Sequence, residues 1–343
     1  MATSTAERTR EGLSTESPPT TWLRRGMGIV AIAIGAVFII VTLAQNLFSV
    51  GPAFEELIDD FRPVLQDEAL AQASSDVSAL GAVGDEMQTA VIPGISEALG
   101  MSPDDFNAFM GNEFPAVATG VQALPEIVPT FQGLIGSLAD QQALFFSADE
   151  IPTEDLPATT VPWGLLFAGI AIIAVGVVML RRGRLGSYLA LGLGLLLVAV
   201  PLILTLPTKA RDADDLNANL EPIYTAELVA GAEGALTTVG AMGAEMQESM
   251  LPALGQQLGM DGDQLNAFFG ENFPATAGAL QTLPTTLERF DGLTTIFANN
   301  LDNYDTLKPV SFAPIIWMVI IGGAVLFILG AWRTIDDRRS LSV

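Results

Sequence analysis

Four stretches of the chain, residues 26–54, 156–180, 185–208 and 309–332, contain no Asp, Glu, Lys or Arg. A helix rises about 1.5 Å per residue, so each stretch can cross roughly 30 Å of hydrocarbon. The pattern predicts transmembrane helices over 26–48, 163–180, 185–206 and 315–332. The first is read as a retained span: although Arg24 and Arg25 precede it, its end (Gln45, Asn46, Leu47, Phe48) lacks a small-x-small cleavage site.

Between the spans the pattern changes from continuous to periodic. From Leu70, apolar or small residues recur at alternating spacings of three and four: Leu70, Ala73, Val77, Leu80, Gly84, Met87, Val91. That is a heptad seam. A second seam runs Val117, Val121, Leu124, Val128, Phe131, Ile135, Leu138. Pro93 and Gly94 between them are expected to end the outgoing helix. A short helix is expected next, with Ser102 as N-cap, Pro103 at the first position and Asp105 at the third. Pro125, Pro129 and Pro284 argue against an unbroken returning helix.

Shifted by 159 positions, the chain matches itself. Residues 81–140 align with 240–299 without a gap, and 26 of those 60 pairs are identical. Gly81, Ala82, Gly84, Glu86, Met87 and Gln88 fall on Gly240, Ala241, Gly243, Glu245, Met246 and Gln247. The same shift carries the first seam onto Val229, Ala232, Leu236, Val239, Gly243, Met246 and Met250. Leu280, Leu283, Leu287, Phe290 and Phe297 form the partner of the second seam, Pro252 replaces the Pro93 breaker, and Asp261 with Gln264 replaces the Ser102 cap. Arg25 also falls on Arg184 and Leu43 on Leu202, so the repeated unit includes its leading span, while the trailing span aligns after a five-residue deletion in the second copy.

The expected fold is therefore an all-α membrane protein with four transmembrane helices and two extracytoplasmic helical-hairpin domains. It is read as a tandem parallel repeat with pseudo-twofold symmetry. Repeat 1 covers 26–180 with its outer domain at 51–161, and repeat 2 covers 185–332 with its outer domain at 207–313. Residues 1–25 form a disordered cytoplasmic tail, 181–184 a cytoplasmic loop and 333–343 a second tail. One hairpin buries little apolar surface alone, so the two are expected to pack as a four-helix stalk continuous with the spans.

Charge sets the orientation. Arg24 and Arg25, then Arg181, Arg182 and Arg184, then Arg333, Arg338 and Arg339 all fall on one side of the four spans. Short positive segments stay inside, which implies a multi-pass plasma-membrane protein with both termini cytoplasmic. The outer segments then hold 19 acids against Arg62, and 15 against Lys209, Arg211, Arg289 and Lys308, within a total net charge of -24. Such a surface excludes nucleic acid as a partner and leaves cations or basic proteins.

The chain has no Cys and no His. Thiol nucleophiles, imidazole bases and His/Cys metal centres are absent with them, so no catalytic, cofactor-binding or metal residue is assigned. The spans hold no ionisable side chain, which argues against ion-coupled transport. Gly186, Ala190 and Gly194 suit helix packing, and Pro201 is expected to kink the third span. The aromatic residues of the hairpin tips, Phe106, Phe109, Phe114, Phe268, Phe269 and Phe273, are expected to close a core at the tip, with a partner-binding patch as the alternative. In order of spans alone the arrangement resembles part of the prominin and tweety proteins, whose cysteines this chain lacks. The expected function is non-enzymatic: a paired acidic stalk acting as scaffold or accessory subunit, with membrane lipids and an envelope protein as partners. The alternative is transport or presentation of a lipid or other hydrophobic molecule through a cavity between the repeats.

Overall fold

A computed structural model of the chain describes residues 20–153, 156–181 and 183–339. The expected N-terminal tail up to Pro19, Arg182 of the expected loop and the last four residues of the C-terminal tail lie outside the described residues. In chain order the helices are α1 (Thr20–Ala44), α2 (Leu47–Phe61), α3 (Asp67–Glu86), α4 (Ile92–Ala98), α5 (Pro103–Glu113), α6 (Pro115–Asp149), α7 (Thr160–Arg181) and α8 (Gly183–Ile203). They continue as α9 (Leu206–Leu220), α10 (Ala226–Glu245), α11 (Leu251–Leu258), α12 (Gly262–Asn272), α13 (Pro274–Asn299), α14 (Leu301–Leu307) and α15 (Phe312–Arg339). Among the described residues there is no strand, only one isolated bridge between Thr153 and Leu156.

The chain divides into two compact units. One gathers Met1–Ala44, Trp163–Ile203 and Trp317–Val343; the other gathers Gln45–Pro162 and Leu204–Ile316. The first contains four helices long and apolar enough to cross a membrane: Arg25–Ala44, Thr160–Arg181, Arg184–Ile203 and Phe312–Ile335. Apart from Leu156, every exposed large apolar side chain among the described residues belongs to these helices. Exposed Trp163 and Trp317 stand near the starts of α7 and α15, and exposed Tyr188 and Trp332 near the start of α8 and the end of α15. Amphipathic rings at the ends of apolar helices suit the membrane–water boundary.

Inside the apolar unit, helices approach through glycine. A Cβ at Gly35 would stand 2.5 Å from the Gly169 carbonyl oxygen, and one at Gly176 would stand 2.8 Å from that of Gly28. These contacts join α1 to α7. The same arrangement joins α8 to α15, where a Cβ at Gly323 would lie 3.0 Å from the Gly194 oxygen and one at Gly330 would lie 2.8 Å from the Ser187 oxygen. Backbones in such contact gain dispersion and weak Cα–H···O interactions where lipid supplies no hydrophobic drive between helices. The expected stripe on α8 divides: Gly194 faces α15, Ala190 is fully buried, and Gly186 meets Met179 of α7.

Two span ends differ from the sequence reading. The first helix stops at Ala44 rather than Phe48, and the third at Ile203 rather than Leu206, because Asn46 (φ 50) and Thr205 (φ 53) adopt the left-handed conformation. Asn tolerates that region, but a β-branched Thr does so rarely. The two residues are 159 positions apart, and each precedes a 15-residue helix, α2 or α9.

The second unit is polar outside and built around one shared core. α3 packs on α6 and α13, while α10 packs on the same two helices, which closes a four-helix bundle. Both seams face inward: Val77, Met87, Val91, Val117 and Leu124 are buried with Val239, Met246, Met250 and Leu283. α2 packs on α14 and α9 on α6, so the short helices also cross between halves of the sequence.

The expected breaker does not break. The outgoing helix runs past Pro93 to Ala98, because a π-turn at Met87–Val91 precedes the proline. Ile92 N–H bonds the Met87 carbonyl five residues back, a widened turn just before the ring would meet the carbonyl of Thr89. A π-turn at Met246–Met250 precedes Pro252 in the same way. The true stops are Gly100 (φ 66) and Gly259 (φ 68), each followed by a Met whose N–H closes a Schellman bond, Met101 to Ser96 O and Met260 to Gly255 O. Ser102 and Asp261 cap α5 and α12 as expected, Asp261 in a full capping box with Gln264. α6 continues unbroken through Pro125 and Pro129, and α13 through Pro284.

Leucine in place of Gly35 forces its Cβ onto the Gly169 carbonyl and should cost about 2 kcal/mol or more through overpacking. The expected result is a lowered thermal midpoint of the detergent-solubilised protein, with Ile40→Leu on the exposed face of α1 as a neutral control. An unchanged midpoint for Gly35→Leu would mean that α1 and α7 do not meet there.

Candidate functional site

The chemistry of the polar unit is concentrated where its two halves meet. Helices α6 and α13 begin at Pro115 and Pro274, and the residues preceding them, Phe114 and Phe273, have no side-chain acceptor for the exposed N–H groups of the first turn. Each helix obtains its acceptor from the other half. Glu245 on α10 accepts from Val117 N–H at 2.8 Å, and Glu86 on α3 accepts from Ala275 N–H at 3.3 Å and Thr276 N–H at 2.6 Å. A carboxylate there satisfies orphan donors and sits at the positive end of the helix dipole. Glu86 and Glu245 are 159 positions apart, as are Val117 and Thr276, so the clasp is reciprocal.

A second ionic contact is not reciprocal. The Arg289 Nε and Nη2 atoms both donate to Asp76 Oδ2, at 2.8 and 2.6 Å, while Gln72 donates to Asp76 Oδ1 at 2.9 Å. Asp76 is only 8% exposed, so its charge depends on these donors. Farther along the unit, Asn300 donates to Asp60 at 2.7 Å, Asn219 to Gln141 at 2.7 Å, and Ser147 to Asp212. Tyr224 and Tyr304 stack near Phe61 and Phe297, and burial pushes the Tyr304 phenol up to about 12.

The six tip phenylalanines come together in the bundle core. Phe106, Phe114, Phe269 and Phe273 are buried, and Phe109 and Phe268 are half-buried edge-on against Phe114 and Phe273. Their rings join the methionines Met87, Met110, Met246 and Met250 in one cluster. Of the six, only Phe109 and Phe268 are partly exposed.

An open acidic groove runs beside α2 and the stretch before α7. One part, about 340 Å³, has Glu55, Asp59, Arg62 and Asp149 in its wall; another, about 470 Å³, adds Glu56 and Asp60. Arg62 bridges Asp59 at 2.8 Å and Asp149 at 2.7 Å, and the hydrogen bonds it donates to Asp149 raise its already high pKa further. The groove offers carboxylates and one guanidinium, a chemistry of electrostatic attraction.

No protein-family model matches this chain, and no curated protein matches it. What fold and site define is an all-helical protein with four apolar helices long enough to span a membrane and a polar four-helix bundle whose halves are clasped by carboxylates.

Sequence reasoning missed Glu86, Glu245, Asp76 and Arg289. The identity of Glu86 and Glu245 within the matched GAxGxEMQ stretch was a visible signal, but nothing local shows that a carboxylate serves a helix more than 120 residues away. Glu86→Ala and Glu245→Ala should each cost about 1–2 kcal/mol in denaturant unfolding, as loss of a cap does. Thr276→Val should act oppositely, by about 1 kcal/mol, because the Thr276 hydroxyl is buried without a partner and its counterpart is Val117. Destabilisation by Thr276→Val would mean that the hydroxyl is satisfied.

Proposed function

We propose that the chain is a non-enzymatic integral membrane protein of the cell envelope, made as a tandem repeat of span, outer domain, span. Both termini are cytoplasmic, and the polar unit stands outside the plasma membrane as a paired acidic stalk. It acts as a scaffold or accessory subunit of a membrane complex, with lipid around its spans and a protein partner for its acidic exterior.

The observation that carries this reading is the division of surface. Large apolar side chains are exposed on the four apolar helices and, Leu156 aside, nowhere else among the described residues. One unit therefore suits lipid and the other suits water. The five-fold correspondence at a 159-residue shift (left-handed Asn46 and Thr205, the π-turns, the stop glycines, the caps and the glutamate clasp) supports tandem duplication.

Packing supports the scaffold reading over carriage of a hydrophobic molecule. Two apolar spaces between the halves of the polar unit, beside Phe131 and Phe290 and beside Phe61 and Phe145, hold about 10 Å³ each. Ligand sites take some 300–1,000 Å³. Cations are a further class of partner for the acidic exterior, where Arg62 pairs with Asp59 and Asp149 of the groove.

The absence of Cys makes the topology directly testable. Asn107→Cys and Asn266→Cys, both on exposed positions, should react with a membrane-impermeant maleimide in intact cells, and Ser4→Cys only after permeabilisation. The reverse pattern would overturn the orientation. With a cleavable crosslinker on the same cysteines, the scaffold role expects one discrete protein adduct at fixed stoichiometry; lipid adducts alone would favour the carrier reading.

A further inference from the structure

The glutamate clasp is the same in both halves, so it holds two hairpins together without telling one from the other. Discrimination must come from interface positions where the copies differ. Four equivalent pairs differ in complementary ways: Asp76 and Ala235, Val83 and Met242, Gly120 and Ala279, Thr130 and Arg289. In the bundle Asp76 meets Arg289, and Met242 fills the space that Gly120 leaves open. The reciprocal positions are occupied by Ala235 and Thr130, and by Val83 and Ala279; Val83 is buried in the core against which Ala279 packs.

We infer that these four pairs are a pairing code, which fits each half to its sister and rejects the equivalent half of a second copy of the chain. Two first halves would set Asp76 opposite Thr130, leaving a carboxylate that is 8% exposed without its guanidinium. They would also set Val83 against Gly120, leaving a void. Two second halves would set Met242 against Ala279. A Cβ at the Gly120 position stands 2.6 Å from the Met242 Cβ and 2.6 Å from its Sδ, so that pairing overpacks the core. Both like–like pairings are penalised, by different physics, and only the mixed one is relieved. In a crowded membrane this keeps a first half from pairing with a neighbour's first half, and a second half with a neighbour's second half.

The code makes a strong demand on the intact chain: exchanging it between halves should be tolerated, whereas copying it should not. Giving the second half the residues of the first (Ala235→Asp, Met242→Val, Ala279→Gly, Arg289→Thr) makes a like–like interface. So does the converse set (Asp76→Ala, Val83→Met, Gly120→Ala, Thr130→Arg). Each four-fold variant of the full chain should lower the thermal midpoint in detergent by about 10 °C or more. The eight-fold variant, which contains every one of those changes, should unfold within about 3 °C of the unaltered protein. An eight-fold variant as unstable as either four-fold one overturns the inference. A smaller pair guards against wholesale misfolding: Gly120→Ala should be destabilised, and adding Met242→Val, which recreates the Ala279–Val83 combination, should recover at least half the loss. Failure of that rescue, or a harmless Gly120→Ala, also overturns it.

Discussion

A single helical hairpin cannot bury its own apolar face. α3 and α6 expose a stripe of Val, Leu, Met and Phe along one side, and so do α10 and α13; neither pair has a second layer of its own. The two stripes must share one core, and most features of the polar unit follow from that need. The core at the tip contains residues from both halves in nearly equal measure, and the mid-bundle core joins Val77, Phe131 and Ile135 of the first half to Phe290 of the second. Helix α2 covers α14 and α9 covers α6, so the shorter helices are also shared. The Glu86 and Glu245 clasp then orients the shared core, because each carboxylate reaches its donors only when the opposite helix begins beside it.

The apolar unit meets a different constraint with a different device. Lipid gives two apolar helices no reason to meet, so contact depends on shape, and the glycines of α1, α7, α8 and α15 let backbones touch. Water drives the polar bundle together through burial, and there side chains rather than glycines fill the interior. Glycine enters that interior at Gly120, which faces Met242, and at Gly84 and Gly243, which face Leu124 and Leu283 within their own hairpins just before each helix widens into its π-turn.

Much of this was legible in the sequence where the signal is local or periodic. The uncharged runs marked the four helices long and apolar enough to cross a membrane, the heptads marked the buried faces of α3 and α6, and Ser102 and Asp261 marked the starts of α5 and α12. Errors arose where tertiary packing overrides a local rule. Asn46 and Thr205 end their helices without a glycine or proline, and Pro93 and Pro252 stay inside a helix because a π-turn makes room. Gly100 and Gly259 were readable stop signals that the nearby prolines obscured. The Asp76–Arg289 pair was hidden, and so was the role of the matched Glu86 and Glu245, since a carboxylate on a helix surface looks solvated until the helix opposite is placed beside it. The acidic groove was hidden for a related reason: its walls join α2 to residues some ninety positions later.

Native-state hydrogen exchange of the full chain tests the shared core most directly, because it reads the opening of each helix separately. One core expects the amides of α3, α6, α10 and α13, those of Val117 and Thr276 among them, to open together with a single free energy. If the helices between Asp67 and Asp149 exchanged as one unit while those between Ala226 and Asn299 stayed protected, or the reverse, the two hairpins would have separate cores and the clasp would be incidental.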